Sequence, residues 1–261
     1  MIDWLYTLPE ILLMLLPAAT LVALLISLSW SLRNVLGIAL NDTHVDFVMR
    51  VEMTLFSMTS LLLVFTLVQA DTNYRQADAL VTTESSRIDQ LDRLLARYGD
   101  PTVAGLRPLL NDYTRSILQN EWRTMLDNNA GDERTVKTFA AISHRVLAVE
   151  PTTPRQAILF GEMLKSLDAT AEARDARLNA VTLRLPSLYW EVVTAALIML
   201  ICVSCLAATN RFRTLVLGVQ LTILGAFIGF VFIMDRPFQG RHAILPDSFE
   251  QILVRMDHRT E

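Results

Sequence analysis

Ile11–Leu32 reads ILLMLLPAATLVALLISLSWSL and Met53–Ala70 reads MTLFSMTSLLLVFTLVQA; Val192–Asn210 (VVTAALIMLICVSCLAATN) and Thr214–Met234 (TLVLGVQLTILGAFIGFVFIM) follow beyond a long polar insert. None of the four contains Asp, Glu, Lys or Arg. A bilayer core about 30 Å thick is crossed by about 20 helical residues. In lipid the backbone must satisfy its hydrogen bonds inside each segment, so the spans are expected to be helices. A surface helix of a soluble protein would show a polar face within a few turns, and these show none. The expected class is an all-α integral membrane protein. Its parts are transmembrane helices 1 and 2 (1–70), a helical domain (71–187), transmembrane helices 3 and 4 (188–234) and a tail (235–261).

Composition agrees. The apolar share is 52% and the net charge is −4, which gives no case for nucleic acid as a partner. The partners expected instead are the lipid bilayer and further copies of the chain. Arginine supplies nearly all the positive charge, with Lys137 and Lys165 the two lysines. Both cysteines, Cys202 and Cys205, fall inside the third apolar segment. A CxxC acts in redox or metal chemistry where a thiolate and water are at hand; here it reads as apolar filler. The N-terminus MIDWLYTLPEILL lacks the basic stretch of a signal peptide, so the first span is expected to be retained. Trp4 and Tyr6 suit an interfacial anchor.

Four spans place both termini and the insert on one side. Arg33, Arg50, Arg211 and Arg213 fall in the short loops of the other. Arg75, Arg87, Arg174, Arg177, Arg184, Arg236, Arg241 and Arg255 flank the insert side. That bias predicts a cytoplasmic insert and cytoplasmic termini in a multi-pass cell-membrane protein.

Within the insert, Tyr74, Ala77, Val81, Glu84, Ile88, Leu91, Leu95 and Tyr98 alternate steps of three and four, a helical seam with one polar member. The second span is expected to continue to about Tyr98 and to stop at Gly99, with Asp100-Pro101 opening the next helix. That helix is expected over 102–127, bent near Pro108, followed by helices over 133–149 and 155–184. In the tail, Asp247 and Glu250 have capping-box spacing, and Phe249, Ile252, Leu253 and Met256 form one face of a short helix that should dock on the insert.

The turn after the fourth span reads Met234-Asp235-Arg236-Pro237-Phe238-Gln239-Gly240, followed by Pro246 and Phe249. It resembles the C-terminal signature (DRPFxG) of the bacterial and plant bestrophin-like domain family of unknown function. Tyr113, Glu121-Trp122, Arg174 to Leu178, and Leu185-Pro186 before Trp190 are similar to that family as well. The resemblance implies a bestrophin-like fold. By analogy with true bestrophins, it also implies a homo-oligomer, pentameric in that analogy, passing small anions such as chloride through a channel.

Candidate site residues follow. Glu84 is costly to bury alone, so an ion pair with Arg174 or Arg177 is expected; the sharper alternative is a ligand- or proton-sensing carboxylate. Phe56, Thr59, Leu63 and Thr66 share one face of the second span. They read either as pore lining, apolar rings alternating with hydroxyl rings, or as helix packing. Glu52 reads as a solvated residue at the helix mouth, and Glu191 as interfacial. Asp235, Arg236, Pro237, Phe238 and Gly240 form the membrane-exit turn, where Asp235 at a helix C-terminus needs a compensating group. Gly218, Thr222, Gly225 and Gly229 should let another helix approach. His44, His144, His242 and His258 are scattered, and no metal site, cofactor motif or enzyme signature is expected. The rival to a channel is a non-conducting scaffold or sensor whose insert binds a ligand or partner.

Overall fold

The computed structural model describes residues 10–34, 42–240 and 242–259, and within them every side chain except those of Glu10, Arg33 and Asp42. Trp4 and Tyr6 lie outside the described residues. All regular elements among the described residues are helical. Four helices are long and apolar enough to span a membrane. The chain divides into two compact units.

The first unit comprises α1 (Glu10–Asn34), the N-terminal part of α2 (Asp42–Arg97), α8 (Ser187–Ala207) and α9 (Arg211–Met234). Its core gathers Leu21 and Leu25 of α1, Leu63 of α2, Leu200 and Ile201 of α8, and Leu217, Leu221 and Leu224 of α9. Outward-facing Leu15, Leu61, Phe65, Ile198, Leu215 and Ile223 are exposed, as lipid-facing surface is. The third span was expected to reach Asn210. It stops at Ala207 because Asn210 serves the next helix instead: its side-chain oxygen accepts the Arg213 N–H at 2.8 Å, an N-cap.

Two glycines set the spacing of α1 and α9. A Cβ on Gly225 would stand 2.5 Å from the Ala18 nitrogen, and one on Gly229 would stand 2.5 Å from the Met14 Cα. The two backbones are in contact there, which only glycine permits. The rest of the expected small-residue stripe does not serve this packing. Gly218 has nothing within 4 Å of an added Cβ, and the exposed Thr222 donates its hydroxyl to the Gly218 carbonyl at 2.7 Å.

The second unit comprises α2 from Arg75 onward, α3 (Pro101–Ala104), α4 (Arg107–Ser116), α5 (Trp122–Asn128), α6 (Glu133–Leu147), α7 (Pro154–Ala180), residues 237–239 and α10 (Asp247–His258). Ala77, Val81, Glu84, Ile88, Leu91, Leu95 and Tyr98 are all buried. Gly99 ends α2 at φ +82°, and Asp100 accepts the Thr102 N–H at 2.7 Å to cap α3. The next segment is not one helix. It breaks at Gly105-Leu106, so that Pro108 falls in the first turn of α4 where its missing N–H is harmless. A π-helical stretch, Ile117–Glu121, then joins α4 to α5.

Thr153 and Gln156 form a reciprocal capping box on α7. That helix ends at Ala180 rather than 184, where the Thr182 hydroxyl and N–H both turn back onto the Asn179 carbonyl. The expected capping box of α10 is absent. Asp247 and Glu250 both sit inside its first turn, where the helix dipole favours acids, and Pro246 precedes it.

Gly225→Ala should force α1 and α9 apart. Thermal unfolding in detergent should show a loss of about 1–3 kcal/mol, the usual effect of overpacking, whereas Gly218→Ala should leave the transition in place.

Candidate functional site

The centre of the helical unit is Arg177, fully buried on α7. Its Nε donates to Glu84 Oε2 at 2.5 Å, its Nη2 to Glu121 Oε1 at 2.5 Å, and its Nη1 to the Met125 sulfur at 3.0 Å. The rings of Trp122 and Phe249 lie 5.8 and 5.7 Å from the guanidinium carbon, within cation–π range. Arg174, one turn earlier, donates to both oxygens of Glu121, each 3.1 Å from its Nε. Two carboxylates and two guanidiniums thus form a closed, charge-balanced quartet. Burial works against the Arg177 cation, but Glu84 and then Glu121 more than offset it, and its pKa lies above the ordinary arginine value. Burial, then the neighbouring Glu84, pushes the Tyr113 hydroxyl well above its usual range.

The π-helical stretch delivers Glu121 to this point, since one extra residue in a turn re-aims the side chain that ends it. The loop that follows closes over it. The Asp132 N–H donates to Glu121 Oε2 at 3.2 Å, and a Cβ on Gly131 would stand 2.7 Å from Arg174 Nη2. Phe238 of the exit turn and Phe249 of α10 pack edge-on to Trp122, with centroids 6.1 and 6.2 Å away. Most of the patches singled out in the sequence therefore meet in one place.

A second network pins the C-terminal end of α10. Arg107 holds Asp92 with two hydrogen bonds, at 2.8 and 3.2 Å, and donates to the carbonyls of Met256 and Arg259. Arg259 in turn reaches Asp92 at 2.8 Å and also pairs with Asp89. Nothing in the seam reading pointed to it, although Asp89 and Asp92 flank seam positions.

At the membrane exit, Asp235 Oδ1 accepts the Leu185 N–H at 2.6 Å, so its compensating group is a backbone donor leading into α8. Pro237 accepts the Ile244 N–H at 2.8 Å, and Gly240 adopts φ +86°. Trp190 and Phe232 stack edge-on at 5.8 Å.

The second-span face turns out differently from a pore wall. Leu63 is 2% exposed and belongs to the chain's own core, Thr59 and Thr66 are buried beside it, and Phe56 packs against that core. The Thr66 hydroxyl donates to its own helix, at the Leu62 carbonyl. This face belongs to interior packing within one subunit. The open face of α2 carries Thr54, Ser57, Leu61, Phe65 and Val68. Glu52 also departs from expectation: it is buried, not solvated. Its position seven residues before Thr59 and fourteen before Thr66 was the signal that it shares their buried face. Glu191 is exposed, and among the described residues no cluster of His, Cys, Asp and Glu could hold a metal ion.

A family model described as the Bestrophin-like domain matches residues 19–249. No curated protein matches the sequence. Among solved structures, a bacterial bestrophin homolog from Klebsiella pneumoniae superposes with a TM-score of 0.64 at 17% identity, covering 96% of this chain and 99% of that one. A point variant of the same homolog gives 0.65 at 15% identity, covering 97% and 99%. A structure described only as a membrane protein, also a variant, gives 0.65 at 15%, covering 93% and 96%.

Removing Glu84 leaves Arg177 short of one counter-charge in a buried site. Glu84→Ala should lower stability by about 3–5 kcal/mol. Glu84→Leu combined with Arg177→Met should recover much of that, because Glu121 keeps Arg174. Denaturant unfolding of the full chain in micelles checks both; an unchanged midpoint for Glu84→Ala would refute the buried-pair account.

Proposed function

The chain belongs to the bestrophin-like family, and from that premise we propose that it assembles as a homo-pentamer that passes small anions such as chloride along an axis lined by α2. The observation that carries this reading is the extent of the match, which runs from within the first membrane helix through the insert and past the fourth. The open stripe of α2 supports it. Thr54, Ser57, Leu61, Phe65 and Val68 recur at steps of three and four, and Leu61 and Phe65 are 57% and 62% exposed in the single chain. Five copies facing one axis would stack hydroxyl rings at one end of the path and apolar rings further in. A narrow apolar ring sheds water and blocks ions without a plug. The insert and the termini lie on the cytoplasmic side of the cell membrane in this reading, following the arginine bias.

The conduction test is anion flux from liposomes holding the assembled protein. Phe65→Ala should widen and wet the ring and raise chloride efflux several-fold, while Phe65→Asp should suppress it. Leu63→Ala should lower thermal stability with far less effect on flux. If wild type and Phe65→Ala both hold a chloride gradient, the protein is a non-conducting scaffold instead.

The topology has its own check. In a background lacking Cys202 and Cys205, an impermeant thiol reagent added outside should label a cysteine at position 42 and miss one at position 128. The opposite pattern reverses the orientation.

A further inference from the structure

Glu52 is a carboxyl group enclosed in the membrane unit with no cation beside it among the described side chains. It is 1% exposed, and Ser204 of α8, which stands against it, is 0% exposed. Neither Glu52 Oε2 nor Ser204 Oγ has a partner that meets hydrogen-bond geometry. The Ser29 hydroxyl is committed to the Leu25 carbonyl at 2.5 Å, and the Cys205 thiol faces the same carbonyl at 3.8 Å.

Among the described side chains, the charged groups at this end of the unit are engaged elsewhere or face outward. On α2 itself, Asp46 and Arg50 are exposed. At the start of α9, Arg211 is exposed and Arg213 donates to the Thr209 hydroxyl at 3.0 Å. On α1 the charged residue of this end is Arg33, whose side chain lies outside those described. Ser204 lies in the last turn of α8, where the helix dipole is negative and disfavours an anion. An ionised carboxylate buried there would have one neutral hydroxyl as its partner, too little to replace the water it loses.

We propose that Glu52 is a proton-binding site: its carboxyl carries a proton at neutral pH and donates it in a hydrogen bond to Ser204 Oγ. Water takes the proton in alkaline solution, and the bare charge then sits between α2 and α8. One bond forms or breaks, O–H on the carboxyl, with water as donor and acceptor. An acid inside a membrane helix bundle is a functional group more often than a packing one. Because α2 is the helix assigned to the ion path, protonation would also tune conduction. That second step rests on the channel reading; proton binding does not.

Infrared difference spectroscopy of the full chain in lipid tests it. Wild type at neutral pH should show the carbonyl stretch of a protonated carboxylic acid. The band should be lost at alkaline pH and be missing from Glu52→Gln. Ser204→Ala should move it to higher frequency, as expected when a hydrogen bond to the carboxyl is lost, which keeps the test open if Glu52→Gln does not fold. Spectra of wild type and Glu52→Gln that coincide across the pH range, or a carboxyl already ionised at neutral pH through Arg33, would overturn the proposal. In liposomes, chloride efflux from wild type should vary with pH at least several-fold, and that from Glu52→Gln should not. The band without flux in any variant would leave the proton site standing and sink the channel; flux without the band would do the reverse.

Discussion

A fully buried guanidinium has to be met by groups that replace its water, and in the helical unit that requirement falls on four elements besides its own. Glu84 comes from α2, Glu121 from the π-helical stretch, Trp122 and Met125 from α5, Phe249 from α10, and Arg177 itself from α7. A buried ion cluster need not add stability over an apolar core of the same volume, since desolvation offsets much of the attraction. What it does impose is register. An apolar face tolerates a slipped helix, whereas a slip here would strand a charge. The same logic explains the glycine at 131, which leaves room for Arg174 to reach Glu121 under the loop.

The four spans were legible because lipid demands length and the absence of charge, and both can be counted along a sequence. The seam from Ala77 to Tyr98 was legible because an aqueous helix has to declare its buried side. The stop at Gly99 and the cap at Asp100 follow from local chemistry alone. Other features depend on partners distant in sequence. Glu121 looks like any surface acid until the π-helical stretch turns it inward. Asp247 and Glu250 have the spacing of a cap but start one residue too late to form one.

Inside the membrane the sequence carries less. A helix that is apolar all round gives no period by which to tell a lipid-facing side from a packed one. The hydroxyls at 59 and 66 therefore read either as wetting a path or as packing. Thr66 settles its hydroxyl on its own backbone, which lets a polar side chain be buried without water. The seven-residue spacing was right as a face, and its placement toward the interior came only with the third and fourth spans.

The contact of Gly225 and Gly229 with Ala18 and Met14 joins the first membrane helix to the last. About 200 residues of chain separate the two halves of that contact. At about 5–20 residues per second, the ribosome needs about 10–40 s to supply the second half. For that interval α1 sits in the bilayer with its close-packing surface against lipid, and the helical unit still waits for Phe249 and the rest of α10. Assembly of the bundle is therefore gated by synthesis, and the last span to emerge is the one that locks the first.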